Sequence, residues 1–127
     1  MNDLENVRSL ILGTMLSAHE FGNVDLSVVM NSGINKDWFV SEAHRAMFEV
    51  INVCYEGGRA FDDGVILSYL RKASVQNAEE MLLDIMAQKQ VPQNILMEHI
   101  GSLKENFHKQ MLHKLNADIA KALADEN

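Results

Sequence analysis

The chain has 127 residues, of which 47% are hydrophobic and one is proline; this excludes a disordered chain and is sufficient for a single folded domain. Its single cysteine, Cys54, excludes an internal disulfide and argues against a cysteine-ligated zinc site. Acidic residues outnumber basic ones by 18 to 11, the net charge is −7 and the basic residues are scattered, so we expect no strong direct binding of nucleic acid.

Nothing in the sequence predicts a targeting or membrane segment. The opening MNDLENV has acidic residues where a signal peptide has basic ones, and no apolar run approaches the roughly 20 residues that span a bilayer. Together with the single cysteine, this predicts a cytoplasmic protein that makes no membrane contact.

Apolar residues recur at helical spacing along nearly the whole chain, and no strand pattern is visible. A first helix is predicted over residues 3–17. A short second helix over residues 23–30 is expected to bury Val24, Val28 and Val29.

Ser41 is predicted to cap a third helix, which ends at Gly57-Gly58. Two shorter helices follow, one over residues 62–72 with Asp62 as its cap and one from Asn77 onward. The apolar residues that these two helices carry at helical spacing are Ile66, Tyr69, Leu70, Leu82, Ile85 and Met86.

The last helix is predicted over residues 94–124, and its apolar residues form one continuous stripe. A helix of this length extends beyond a bundle of five short helices, so the stripe beyond Phe107 has no cover within the chain. We expect it to bind a partner helix, either from another subunit or from sequence that is not part of this chain. The predicted partner-binding residues are Phe107, Met111, Leu112, Leu115 and Ile119.

These elements predict an all-α fold, with a compact bundle of about five short helices and a long, protruding C-terminal helix. We expect a single domain, in which residues 1–101 form a globular head and residues 102–127 form an extension of the last helix.

The stretch EAHRAMFEVI, residues 42–51, places His44 beside Arg45 in an otherwise apolar run. No cysteine, serine elbow or acid stands at a spacing typical of catalysis, so a structural role is favoured over that of a general base. We expect the His44 ring to lie beside the helix cap, hydrogen-bonded to backbone and packed on Trp38 or Phe39.

The other chemical motifs are incomplete. His108 and His113 are five residues apart, about 140° around a helix, and cannot share a metal on one face. Gly57-Gly58 lacks the spacing of a phosphate-binding loop. We therefore predict no catalytic residue, no metal site and no cofactor site, and expect a scaffolding or interaction module.

Two segments resemble a known family. The first segment, residues 38–51, reads WFVSEAHRAMFEVI and resembles the pattern DFYxxAHRxIFExI. The second, residues 53–70, reads VCYEGGRAFDDGVILSYL and resembles the pattern LYEEGxPIDxxTLxxxL. Both patterns belong to the N-terminal domain of DnaB-type replicative DNA helicases of bacteria and phages. The residues that carry the resemblance include Phe39, Ala43, His44, Arg45, Phe48, Glu49, Gly58 and Asp62.

The resemblance implies a function in DNA replication. In that family the N-terminal domains form the collar of a hexameric ring and help to recruit primase, while a separate motor unwinds DNA. It implies that His44 and Arg45 are fold markers, and that the partners are other copies of the chain and a primase or helicase loader. ATP and magnesium are expected only in a motor domain that this chain does not contain.

Three alternatives remain open. The helicase-binding C-terminal domain of a primase shares this helical fold but lacks the AHRxxFE…GxxxD series. A free-standing, phage-type protein mimicking the collar to bind host replication factors is a second alternative. An enzyme with His44 as its base is the third.

Overall fold

The protein was analysed as a computed structural model, which describes residues 3–21, 24–59, 61–88 and 90–125. Within these ranges all regular structure is helical, which confirms the predicted all-α fold with a long C-terminal helix. The elements are α1 (Asp3–Phe21), α2 (Leu26–Asn31), a 3₁₀ helix (Lys36–Trp38), α3 (Glu42–Glu56), α4 (Asp63–Lys72), α5 (Ala78–Met86) and α6 (Gln93–Asp125).

Helix α1 lies at the centre of the bundle. It contacts α3, α5 and α6, and its side chains Ile11, Leu12 and Met15 are completely buried. It continues four residues past the predicted end at Ser17, and Ala18 adds a further buried residue there.

Helix α2 buries one of its two central valines. Val29 is buried and so is Val24, which precedes the helix, but Val28 is 44% exposed. The prediction that Val28 is buried was wrong, since adjacent residues point about 100° apart on a helix and this short element presents only one face to the core. The predicted first residue of this helix, Asn23, lies outside the described residues.

Helix α3 has the predicted ends. The Ser41 hydroxyl accepts a hydrogen bond from the His44 amide at 3.0 Å, which confirms the cap. At the other end Gly58 has a φ of +64°, and the amides of Gly58 and Arg59 donate to the carbonyls of Tyr55 and Cys54. This is a Schellman motif, in which glycine supplies the left-handed residue.

Helices α4 and α5 pack on each other and add further buried residues to the core. Ile66, Leu70, Leu82 and Ile85 are buried, and Tyr69 packs against the core. Met86 is about half exposed on the outer side of α5. Asp62 occupies the cap position of α4 but makes no side-chain hydrogen bond there.

Helix α6 leaves the bundle part-way along its length. Leu96, Ile100 and Leu103 are buried, and Phe107 is the last residue packed against the core. Every residue from 108 to 125 is exposed, and we call this segment the arm. Its 18 residues correspond to about 27 Å of helix. The last two residues of the predicted extension, 126 and 127, lie outside the described residues.

Candidate interaction surface

The arm presents an exposed apolar stripe. Met111, Leu112, Leu115 and Ile119 are each 49–59% exposed, and at 100° per residue they span an arc of about 100° on one side of the helix. Apolar residues at this spacing and on one face are typical of a helix that packs on another helix. Phe107, the fifth predicted contact residue, lies against the head instead and is only partly exposed.

Basic residues border this stripe. On the same helical projection Lys114 lies about 60° beyond one edge of the apolar arc, and Lys109 lies about 60° beyond the other edge. Across residues 104–114 there are three lysines and one acidic residue, Glu105. The first half of the exposed stripe is therefore flanked by positive charge on both sides.

The residues that carry the family resemblance form a different region, at the N-terminal end of α3. The rings of Phe39 and Phe48 stack with centroids 5.5 Å apart, and the His44 ring meets Phe39 edge to face at 6.5 Å. All three residues are buried. The predicted packing of His44 on Phe39 is confirmed.

Two arginines hold the backbone that leads into α3. The Arg8 Nε donates to the carbonyl of Trp38 at 3.2 Å, and the Arg45 Nε donates to the carbonyl of Phe39 at 2.8 Å. Consecutive carbonyls are thus each bonded to a guanidinium from a different helix. These bonds fix the entry of the chain into α3 relative to α1.

His44 is hydrogen-bonded to a side chain rather than to backbone. Its Nε2 lies 3.2 Å from the Ser9 hydroxyl, and its Nδ1 lies 3.5 Å from a Glu5 carboxylate oxygen without hydrogen-bond geometry. The prediction of a backbone partner was wrong, because the contact between α1 and α3 brings the Ser9 hydroxyl, 35 residues away in the chain, to the ring.

Burial lowers the pKa of the His44 imidazole below its usual value. The Glu5 carboxylate opposes this shift, and the Arg8 guanidinium adds to it. Arg8 is itself only 2% exposed and donates to the other oxygen of Glu5 at 2.9 Å. The ring is therefore neutral at pH 7, in a cluster where Arg8 supplies the cation and Glu5 the anion.

Ser9, His44 and Glu5 have the connectivity of a serine hydrolase triad, but their surroundings differ from those of one. The Glu5 carboxylate forms its ion pair with Arg8, and its contact with His44 lacks hydrogen-bond geometry. The open groove beside the ring, about 260 Å³, carries the acidic residues Glu80 and Asp84 and no cationic side chain. Such a groove disfavours the oxyanion that acyl transfer must stabilise.

Of the remaining signature residues, Arg45 joins this cluster through its bond to the Phe39 carbonyl, and the others do not. Arg45 and Ala43 are on the first turns of α3, and Glu49 forms a surface ion pair with Lys36 at 3.2 Å. Gly58 and Asp62 follow the opposite end of α3, a helix of 15 residues and so about 22 Å long. The eight residues are thus spread along the fold and do not line one binding site.

The sequence prediction did not include Arg8 among the structurally important residues, although its position in the sequence indicates that it is buried. Arg8 lies four residues after Leu4 and three before Ile11, so it falls within the apolar face of α1. A charged residue at such a position needs a buried partner. Spacing alone could not identify that partner, because Trp38 is 30 residues away.

Among the described residues no group of three or more His, Cys, Asp or Glu side chains is placed to hold a metal ion. Across the same residues, no helix combines the length and apolar character needed to cross a membrane.

Compared with known proteins, the chain matches no family model, no curated protein and no solved structure.

Proposed function

We propose that this chain is a non-catalytic protein-interaction domain that associates through its arm. The observation that carries the proposal is the exposed stripe formed by Met111, Leu112, Leu115 and Ile119. Full burial of such a side chain contributes about 1.5–3 kcal/mol, and because about half of each one is still exposed, each has roughly 1 kcal/mol left to gain from a partner. A partner that covers the stripe gains several kcal/mol of association free energy from it, before the entropic cost of binding.

We further propose that the domain acts as the N-terminal collar domain of a DnaB-type replicative DNA helicase, in the cytoplasm. The support is the resemblance over residues 38–70, together with the packing of its residues Phe39, His44 and Phe48 at the start of α3. Buried rings that pack on one another in this way are expected of residues that maintain the fold. The expected partners are other copies of the chain and a primase or helicase loader.

A co-purification experiment tests the assignment to replication. The tagged chain is used as bait in a bacterial lysate beside Met111→Asp/Leu115→Asp and beside Val53→Asp, a matched change at an exposed valine of α3. We expect mass spectrometry to identify the replicative helicase, primase or helicase loader with the wild type and Val53→Asp, and to lose them with the arm variant.

The same experiment separates the alternatives. Retention of the helicase without primase would favour a helicase-binding primase domain. Retention of only proteins unrelated to replication, or of the same proteins by the arm variant, would contradict the proposal.

A further inference from the structure

A second exposed apolar face lies on the head, on the outer side of α5. Leu83 is 60% exposed and Met86 49% exposed, and their spacing of three residues places them side by side. Met86 also borders a small cleft of about 120 Å³ whose lining includes the apolar side chains Leu16 and Phe61. The outer side of α5 thus offers an apolar ridge beside a recess.

This face is acidic. Helix α5 has the sequence AEEMLLDIM, with Glu79, Glu80 and Asp84 exposed and no basic residue. Arg71 of α4 pairs with Glu79 at 3.9 Å, and Glu80 and Asp84 also line the groove beside His44, so the acidic residues outnumber the one nearby cation. Asp63, at the start of α4, lines the recess beside Met86. A partner for this face should therefore combine apolar side chains with positive charge.

The arm has this combination. Its stripe, which begins at Met111, is bordered by Lys109 and Lys114. The arm is exposed along its whole described length, so it does not reach α5 of its own chain. Eight basic and fifteen acidic residues precede His108, whereas three of each follow residue 107. Two heads therefore repel each other, whereas the residues after 107 add no net charge to a contact with a head.

We propose that the stripe of one copy docks on the outer face of α5, at Leu83 and Met86, of a second copy. This inference rests on the proposed function of the arm and adds the surface that the arm binds. The contact is heterologous, because it joins two different surfaces of the same chain. Repetition of it closes into a ring or continues as a filament.

Complementation between two variants tests this contact. Leu83→Asp/Met86→Asp removes the head surface, and Met111→Asp/Leu115→Asp removes the arm surface. All four side chains are about half exposed or more, so both variants should fold, which circular dichroism checks. We expect each variant alone to sediment as a monomer. An equimolar mixture should form a species of two chains, because one copy supplies an intact arm and the other an intact head.

The other outcomes have distinct meanings. If the head variant associates like the wild type while the arm variant does not, arms bind arms, and the α5 contact is wrong while the arm's role stands. Loss of association in both variants without rescue on mixing would also overturn the α5 contact. If the wild type is itself a monomer, or neither variant alters its association, both proposals fail.

Charge reversal supplies an independent check. Lys109→Glu/Lys114→Glu should weaken self-association of the wild type, and adding Glu79→Lys/Glu80→Lys in the same chain should restore it. A lack of restoration would contradict the contact, whereas Val53→Asp should leave association unchanged.

Discussion

His44 is buried between α1 and α3 with a neutral ring, while the charged pair Arg8–Glu5 lies directly beside it. The two arginines and Ser9 together satisfy two backbone carbonyls and one ring nitrogen that would otherwise be buried without partners. An unpaired buried polar group costs about 1–3 kcal/mol. The cluster therefore determines how the chain enters α3, which supports the view that His44 and Arg45 have a structural function.

The first prediction concerns pH. Burial lowers the pKa of His44 in the folded state, so the unfolded chain binds the proton more readily. The contribution of this group to stability is therefore fully present above about pH 6.5, the usual pKa of histidine, and is lost as the pH falls below it. We expect the free energy of unfolding by urea to decrease between about pH 7.5 and about pH 5.5.

His44→Gln is the matched control for this effect. It should lower stability at the higher pH and show a shallower pH dependence across the same interval, because the group that titrates there is gone. An unchanged pH dependence in the variant would show that His44 is not the group responsible.

The second prediction concerns the enzyme alternative. With Glu5 paired to Arg8 and the adjoining groove acidic, Ser9 and His44 should not act as nucleophile and base. Wild type, Ser9→Ala and His44→Gln should therefore share one background rate in an ester hydrolysis screen. A rate that is lost in both variants while they remain folded would support a hydrolase instead.

At the scale of the helix, α3 and α4 end in the same hydrogen-bonded motif but with different residues in the left-handed position. The amides of Ser74 and Val75 donate to the carbonyls of Arg71 and Leu70, as those of Gly58 and Arg59 do at the end of α3. Ser74 has a φ of +61°, close to the +64° of Gly58. A serine in this conformation costs about 1–2 kcal/mol that glycine avoids.

The third prediction exchanges these two residues. Ser74→Gly should raise the free energy of unfolding by up to about 1 kcal/mol, and Gly58→Ser should lower it by about 1–2 kcal/mol. Denaturant unfolding measures both. Changes of the same sign in the two variants would be inconsistent with a left-handed residue at both helix ends.

The contact between α1 and α5 depends on the absence of a side chain. A Cβ on Gly13 would collide with the carbonyl oxygen of Ile85, which belongs to the backbone of α5 and cannot move alone. Gly101, in the middle of α6, has nothing within 4 Å of the equivalent position. A larger side chain is therefore excluded sterically at Gly13 and allowed at Gly101.

The fourth prediction compares alanine at these two positions. Gly13→Ala should lower the melting temperature, at a cost of about 1–3 kcal/mol, because α5 must shift. Gly101→Ala should raise stability by about 0.5–1 kcal/mol, because alanine is the better helix former. Equal effects at the two sites would rule out the close approach at Gly13.

At the scale of the whole molecule, apolar spacing was sufficient to predict the helices and the protruding last helix, and the residue types Ser41 and Gly57-Gly58 were sufficient to predict the two ends of α3. These features depend on residues close together in sequence. The exposure of Val28 and the partners of His44 and Arg8 could not be predicted in the same way, because they depend on which helices meet. Arg8 bonds residue 38 and His44 bonds residue 9, and a periodic pattern does not report such pairings.

The distribution of charge and exposure gives the molecule two unlike ends. Residues 1–107 carry the whole net charge of −7, whereas residues 108–127 carry none, and the arm exposes its apolar stripe. This asymmetry predicts association through the arm at concentrations where the heads alone would stay apart. The association should depend on Met111 and Leu115, two of the four residues of the stripe.

Sedimentation equilibrium of the wild type beside Met111→Asp/Leu115→Asp is the most direct test of the arm as an association surface. We predict that the average mass of the wild type rises with concentration to at least twice that of a monomer, and that the folded variant remains a monomer. A wild type that stays monomeric at every concentration, or a variant that associates equally well, would contradict the account.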